Sequence, residues 1–401
     1  MRRRAALLAA AAVAILPPAA LGAPGSPDPT FADSGALIGP AGSASAVAVE
    51  PGGRIVVGGE SYDGRGGHPL TLAAYSAGGG LDPGFGRFGV ATAPATGLAG
   101  VAIAPDAGIV AVGYRTRGGR REPAVARFTP NGTLAGVEGG AVGDGDAVAR
   151  AVAVARDGTV LVACDAVRAG EPVVAVVRFG PRGVGNTALI GLPGRAVTTA
   201  GIALGPTGGL TVAGTSYDPI TATTDPVVAR LLPDGRPDRR FGGGAPVVVR
   251  TGLASVQARA VALGAGGSVV VAGSGRAPLR SEFLAVRLTA AGATDATFGE
   301  GGVAAVPVGD GDAFATAVAI DPAGRTVMAG DASGGPALIR LGRDGALDPG
   351  FAPPRQLLPS PGSASSAAAL AEDAARRLVV AGAVFAGDGL RLTLARYGNE
   401  G

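Results

Sequence analysis

Residues 318–330 read Val-Ala-Ile-Asp-Pro-Ala-Gly-Arg-Thr-Val-Met-Ala-Gly. Small and β-branched residues run up to a Pro/Gly turn and resume beyond it, the pattern of two strands joined by a tight hairpin. Near copies stand at 46–59, 101–113, 152–164, 202–214, 261–273 and 369–382. A supersecondary unit that returns seven times along one chain cannot bury both its faces alone, so its copies must stack on one another.

Two further anchors keep the same period. A third short strand ends in Arg plus a large apolar residue at Arg127, Arg178, Arg230, Arg287, Arg340 and Arg396, with Ala74-Tyr75 in the first unit. Asp-x-x-Phe stands at Asp28/Phe31, Asp82/Phe85, Asp238/Phe241, Asp295/Phe298 and Asp348/Phe351. Ala135/Val137 and Asn186/Leu189 occupy that register in two degenerate units. The Phe-equivalent positions are 52 to 57 residues apart, so the unit is about 53 residues long and holds four short strands. Four strands are the content of a propeller blade. The expected fold is therefore all-β, a seven-bladed β-propeller of four-stranded blades.

The motifs Leu347-Asp348-Pro349-Gly350-Phe351 and Thr294-Asp295-Ala296-Thr297-Phe298-Gly299, with the hairpins above, resemble the delta-60 repeat family of bacterial exported propellers and, more loosely, NHL-type repeats. The resemblance covers most of residues 27–401 and implies a fold, with no assigned activity. It also implies a phase, with Ala46–Val49 near the central channel and 88–92 at the rim. The strand 36–40 then has no blade of its own, and is expected to complete the last blade beside 392–395, closing the ring and removing an unpaired edge.

The first 23 residues read as a signal peptide: Arg2, Arg3 and Arg4, an apolar run from Ala5 to Leu16, then small residues ending at Ala23. That run is shorter than the ~20 residues a membrane span needs. The expected layout is a signal at 1–23, a lead-in at 24–35 and a single propeller at 36–401, secreted, extracytoplasmic and monomeric, with no membrane span after cleavage. The chain has 34 basic and 31 acidic residues, and removing the three leader arginines leaves 31 of each sign. A mature chain without net charge disfavours a nucleic-acid partner. Cys164 has no partner for an internal disulfide and reads as a small buried thiol in a strand.

Polar residues that recur around a ring read as architecture. The Asp of each Asp-x-x-Phe is expected to open an Asx turn, its Phe to plug between blades, and the strand-end arginine to pair with the Asp, as Arg340 with Asp348. Among the unrepeated residues, Asp144/Asp146 and Asp310/Asp312 form two Gly-Asp-Gly-Asp-Ala loops that are weak calcium candidates, short of a full oxygen shell. Arg115, Arg117, Arg120 and Arg121 form a basic loop suited to an anionic cell-envelope polymer or an acidic protein patch. His68 is the only histidine and no G-x-S-x-G elbow accompanies it. No catalytic residue, cofactor or confident metal site is read.

Inner strands built almost wholly of Ala, Val, Ile and Leu argue against an enzyme. The expected function is a non-enzymatic binding or scaffold module that uses the face carrying loops of variable length. Two alternatives stand beside it: a propeller hydrolase or lyase with a metal-assisted site at the channel mouth, and a structural spacer of the cell envelope.

Overall fold

The computed structural model describes residues 23–32, 34–61, 68–180, 183–333, 335–351, 365–387 and 389–399. The signal expected at 1–23 falls, but for Ala23, outside them. Seven antiparallel sheets follow one another around a ring. Their innermost strands are Ser43–Val49, Thr96–Ile103, Val148–Val154, Ala196–Leu204, Val256–Leu263, Ala313–Ile320 and Ser365–Glu372, which number the blades one to seven. Each inner strand is followed by its hairpin partner and a third strand, and blades one to five add an outer fourth strand. In blade six three strands lie among the described residues. No helix among the described residues is long and apolar enough to cross a membrane.

Blade seven takes its fourth strand from the other end of the chain. Ala36–Ala41 pairs with Gly389–Tyr397, Ala36 opposite Ala395 and Leu37 opposite Leu394. The ring is thus closed by the N-terminal strand, and the edge of the last sheet is paired. Val, Ala, Ile and Leu from facing sheets fill the space between blades, as where Val379 and Leu394 of blade seven pack with Val57 and Ala73 of blade one.

Each Asp-x-x-Phe forms a latch on the rim of the face that carries the short turns. The Asp28, Asp82, Asp238, Asp295 and Asp348 carboxylates accept the amide N–H two residues on at 2.9–3.1 Å, forming Asx turns. That turn drops the Phe ring under the next blade. A Cβ at Gly79, Gly132, Gly292 or Gly345, in the following blade's turn, would come within 2.8–3.3 Å of the rings of Phe31, Phe85, Phe241 and Phe298, so only glycine leaves room. Arg396, Arg287 and Arg340 each place Nε 2.8 Å from the carboxylate of Asp28, Asp295 and Asp348. Their guanidinium planes lie 4.5–4.8 Å over Phe31, Phe298 and Phe351, a cation–π contact. Nη1 of each also donates to a carbonyl in the next turn, those of Ala77, Arg343 and Asn399. One arginine thereby ties its own turn, its own plug and its neighbour together.

Blade one has Ala74 where the latch arginine should stand. Arg54, from the hairpin turn of the same blade, takes the vacancy: it lies 5.8 Å over Phe85 and 3.7 Å from Asp82. The two degenerate units depart further. Leu134–Gly139 and Gly183–Ile190 instead pair with the third strand almost from its end, each through one slip in register beside the strand-end arginine, and carry no Asp at the position of the Asp-x-x-Phe turn. Val137 and Leu189 therefore pack into the core shared with the preceding blade and do not plug the following one.

Arg340→Ala would leave Asp348 without its cation beneath a buried Phe. Breaking such a pair typically costs about 3 kcal/mol, so a fall of several degrees in Tm is expected, and an unchanged Tm would deny the latch any weight. Asp28, at the ring closure, adds a pH dependence. Burial pushes its carboxyl up, but the Thr30 hydroxyl and amide and the Arg396 guanidinium outweigh burial and hold it below the usual range. Its contribution is complete above the unfolded carboxyl pKa of about 3.9 and is lost as the pH falls through the lower folded value. Thermal melts between about pH 5 and about pH 2 should therefore show a shallower loss of Tm in Asp28→Asn, which starts lower, than in the native chain.

Candidate functional site

The inner strands begin on the face that carries the variable loops, and near its start each one is interrupted. Pairing with the second strand slips between Ala44 and Ala46, Thr96 and Gly100, Ala149 and Ala151, Thr199 and Gly201, Ala258 and Ala260, Ala315 and Ala317, and Ala367 and Ala369. These are β-bulges, one per blade, and a bulge re-aims the side chain it carries. The residues carried are Ser45, Ala99, Arg150, Ala200, Arg259, Thr316 and Ala368, and all seven line one cavity of about 670 Å³ at the mouth of the central channel.

The second strand has to make room for the bulge. A Cβ on Gly59 would lie 1.7 Å from the Ser43 carbonyl oxygen, and one on Gly273 1.9 Å from that of Gln257. This explains the glycine that ends the hairpin motif in six blades. The seventh has Cys164 there, fully buried. Burial pushes its thiol well above the usual range and Asp165 adds to the shift, so it stays protonated and inert at neutral pH. The residue after this position holds the next blade: Asp165 accepts the Thr199 amide at 2.7 Å, Thr215 that of Ala258 at 3.0 Å and Asp331 that of Ala367 at 2.8 Å.

The seven bulge residues are not equivalent. Arg150 and Arg259 are the two cations among them, on blades three and five, and both are exposed. Arg150 Nε pairs with Asp165 at 2.7 Å. Arg259 donates to the Gln257 side-chain oxygen at 2.7 Å and makes no ion pair within 4.0 Å among the described residues. Thr198, Thr199 and Gln257 add polar groups on the same side, whereas blades seven, one and two contribute only the small side chains of Ala368, Ser45 and Ala99. A guanidinium with spare donors beside hydroxyls and an amide suits an anionic, hydroxyl-rich ligand.

These residues correct the reading of the inner strands as chemically blank. Their alternation is apolar, but the bulge inserts one residue outside it, and that residue faces the channel. Arg150 and Arg259 belong to no motif, and only alignment of the seven hairpins one position before the Ala or Gly that resumes pairing would have singled them out.

The sites read from the sequence lie elsewhere. Asp144 and Asp146 stand at the boundary of blades two and three, Asp310 and Asp312 three blades further on. Asp144 accepts the Ala169 amide at 2.7 Å, Asp146 that of Arg121 at 3.0 Å and Asp312 that of Ser281 at 2.6 Å. Three of these carboxylates thus tie a loop to the hairpin of a neighbouring blade, and among the described residues no group of three or more His, Cys, Asp or Glu is placed to hold a metal ion. Arg115 donates to the Gly139 carbonyl at 3.0 Å, Arg120 to that of Gly145 at 2.5 Å, and Arg121 lies 5.2 Å over Tyr114. Arg117 is exposed at the hairpin tip, opposite Arg120. His68 is exposed beside the third strand of blade one.

Three segments of the chain match one family model. It is described as a "domain of unknown function (DUF5122) beta-propeller" and it matches residues 105–134, 205–241 and 322–351. Each segment runs from a hairpin turn through the second and third strands, and two end on the plug Phe241 or Phe351. The matches support a β-propeller repeat family of unknown function. No curated protein matches the chain. Among solved structures, the polysaccharide lyase Uly1 is similar at 12% identity and a TM-score of 0.56 over 91% of both chains. An ulvanlyase of a new polysaccharide lyase family, solved with a bound glucuronate and sulfated-rhamnose saccharide, is similar at 10% identity and 0.58, over 89% of this chain and 95% of its own. A protein from Lactobacillus plantarum is similar at 13% identity and 0.54, over 84% and 91%.

At such identities the likeness is one of fold. It nevertheless overturns the expectation of a non-enzymatic chain, because rings of this architecture include polysaccharide lyases, and apolar inner strands exclude no activity at the channel mouth.

The bulge that builds the cavity is testable apart from any ligand. Gly273→Ala drives a Cβ into the Gln257 carbonyl, and an overpacked site of this kind costs about 2 kcal/mol. Cys164→Gly, which restores the residue of the other blades, should melt within about 1 kcal/mol of the native chain. Equal melting of the two variants would show that the glycine position carries no steric constraint.

Proposed function

We propose that the protein binds an anionic polysaccharide at the mouth of its central channel, on the variable-loop face. The observation that carries the reading is the pair of bulge-borne arginines, Arg150 and Arg259, set with Gln257, Thr198 and Thr199 in one 670 Å³ cavity. Arg259 supplies the anion receptor: its guanidinium donates to the Gln257 amide oxygen at 2.7 Å and feels Asp331 of the next blade, yet among the described residues no carboxylate lies within 4.0 Å of it. Arg150 is held by Asp165, which fixes its direction and leaves its remaining donors for a second anionic or hydroxyl group. Charged and polar side chains on one side of the mouth and the small Ala368, Ser45 and Ala99 on the other leave room for a sugar chain to lie across it. The exposed Arg117 and Arg120 hairpin rises on the same face and extends the basic surface outward.

An exported protein would meet such polymers outside the cytoplasm, and the apolar run after Arg2–Arg4 and the delta-60 resemblance support that reading. A lyase reading rests on the same site. β-Elimination at a uronate needs a group that neutralises the carboxylate and a base that takes the neighbouring proton. Arg259 with Gln257 fits the first role, whereas Asp165, the carboxylate within the cavity lining, already accepts from Arg150 and from the Thr199 amide and does not supply the base.

Affinity electrophoresis of the native protein through gels containing a sulfated uronate polymer tests both readings. Retardation is expected, weakening with salt, and falling about tenfold in Arg259→Ala if one charge-assisted contact is lost. Ultraviolet absorbance of an unsaturated uronate end, followed in the same mixtures, would assign turnover to the site. Equal retardation by a neutral glucan, or full binding in the Arg150→Ala/Arg259→Ala double variant, would sink the proposal.

A further inference from the structure

On the opposite face, between blades three and four, lies a second cavity of about 260 Å³. Leu161, Val176, Leu210 and Leu231 form its buried floor, and the exposed Asn186 and Arg236 stand at its rim. Its position in the repeat explains it. Two of its walls are Arg178, the latch arginine of blade three, and Gly235, the turn glycine of blade four. In the latches of blades one, five and seven, and in that of blade four, the space between those two walls holds a Phe ring. Gly79, Gly132, Gly292 and Gly345 would each press a Cβ against such a ring, whereas a Cβ on Gly235 would meet nothing within 4 Å. Blade three has no plug because its outer strand, Gly183–Ile190, pairs with the third strand almost from its end and carries Leu189 into the core shared with the preceding blade.

The carboxylate is missing as well. Asp stands eight residues after Arg230, Arg287 and Arg340, and Asn186 stands eight after Arg178. Arg178 keeps the contact that reaches the next blade, donating to the Pro233 carbonyl as Arg287 and Arg340 donate to theirs. It makes no ion pair within 4.0 Å among the described residues, whereas Arg287 and Arg340 each hold an Asp at 2.8 Å. The socket therefore lacks two things that its counterparts contain: an aromatic ring beneath the guanidinium and an Asp within ion-pair distance of it. The acids that remain nearby are Asp157, which feels the Arg178 charge from outside that distance, and Asp234 on the cavity wall, which is paired with Arg236 at 2.7 Å.

We propose that this socket is a binding site for a small aromatic carboxylate, whose ring takes the place of the missing Phe and whose carboxylate takes the place of the missing Asp. The chain itself supplies the template: in blades five, six and seven the guanidinium lies 4.5–4.8 Å over the ring while Nε holds the carboxylate. An apolar cavity of roughly 150 Å³ already accepts benzene, so 260 Å³ accommodates a phenyl ring with a short acid arm. The exposed rim at Asn186 and Arg236 leaves a way in, and the site is independent of the channel mouth on the other face.

Calorimetric titration of the full chain with phenylpropionate, cyclohexylpropionate and propionate tests it. Saturable binding of phenylpropionate is expected, with propionate at least about tenfold weaker for want of a buried ring. Arg178→Gln should weaken phenylpropionate about tenfold by removing the charged partner. Ala188→Phe, which places a ring in the socket from the facing strand, should abolish binding while Tm holds or rises. If that variant fails to fold, Asn186→Asp restores the repeat carboxylate and should weaken the acid by occupying Arg178. No saturation by phenylpropionate, equal binding of the cyclohexyl acid, or undiminished affinity in Arg178→Gln would each overturn the proposal.

Discussion

The ring depends on one arginine contact made again and again at the same place. In a propeller, each sheet is stable in its own hydrogen bonds, but its position against the next sheet rests on side chains alone. In blades five, six and seven the strand-end arginine solves this with three contacts at once: to the Asx-turn carboxylate, over the plug ring, and into the neighbouring turn. Because guanidinium is planar with five donors, one residue can serve all three without leaving an acceptor unmet. At Arg396 the same contact does more. It holds Asp28 from the start of the chain against the last strand and reaches Ala77 of blade one, so ring closure and blade spacing are the same interaction there.

A second constraint acts at the opposite end of each blade. Seven inner strands converge on a narrow channel, and strands of uniform pairing would leave no side chain free to face it. The bulge releases one residue per blade into the mouth and charges the cost to the second strand, which must give up its Cβ. The recurring glycine is thus a steric consequence of the channel. What the released residue may be is unconstrained by packing, and here it ranges from alanine to arginine. The bulge recurs in all seven blades, while chemistry is written at the position that it leaves open.

The same logic accounts for which features were legible beforehand. The hairpin period, the Asp-x-x-Phe turns and the surplus strand at 36–40 are local patterns, visible in one pass along the chain. Arg54 could not be matched to the vacancy at Ala74, because the two belong to different strands and meet only through sheet register. Val137 and Leu189 sit in the right register for plugs yet do not plug, since an outer strand that pairs almost from its start carries them into the core shared with the preceding blade. Arg150 and Arg259 look like ordinary solvent-facing residues in an alternating strand until the slip in pairing is known.

Sequence periodicity by itself determined the blade and the count of seven, because both follow from short-range hydrogen bonding and a repeat that must bury its faces; the closing strand followed only once the resemblance to known repeat propellers supplied the phase. Only tertiary structure decided where the unrepeated residues point. The channel-mouth arginines are placed by bulges that exist only when two strands pair out of step. The empty socket under Arg178 is a gap between two blades, defined by an absent ring in one and an unfilled glycine in the other. Both are relations between segments far apart along the chain, and no single segment carries them.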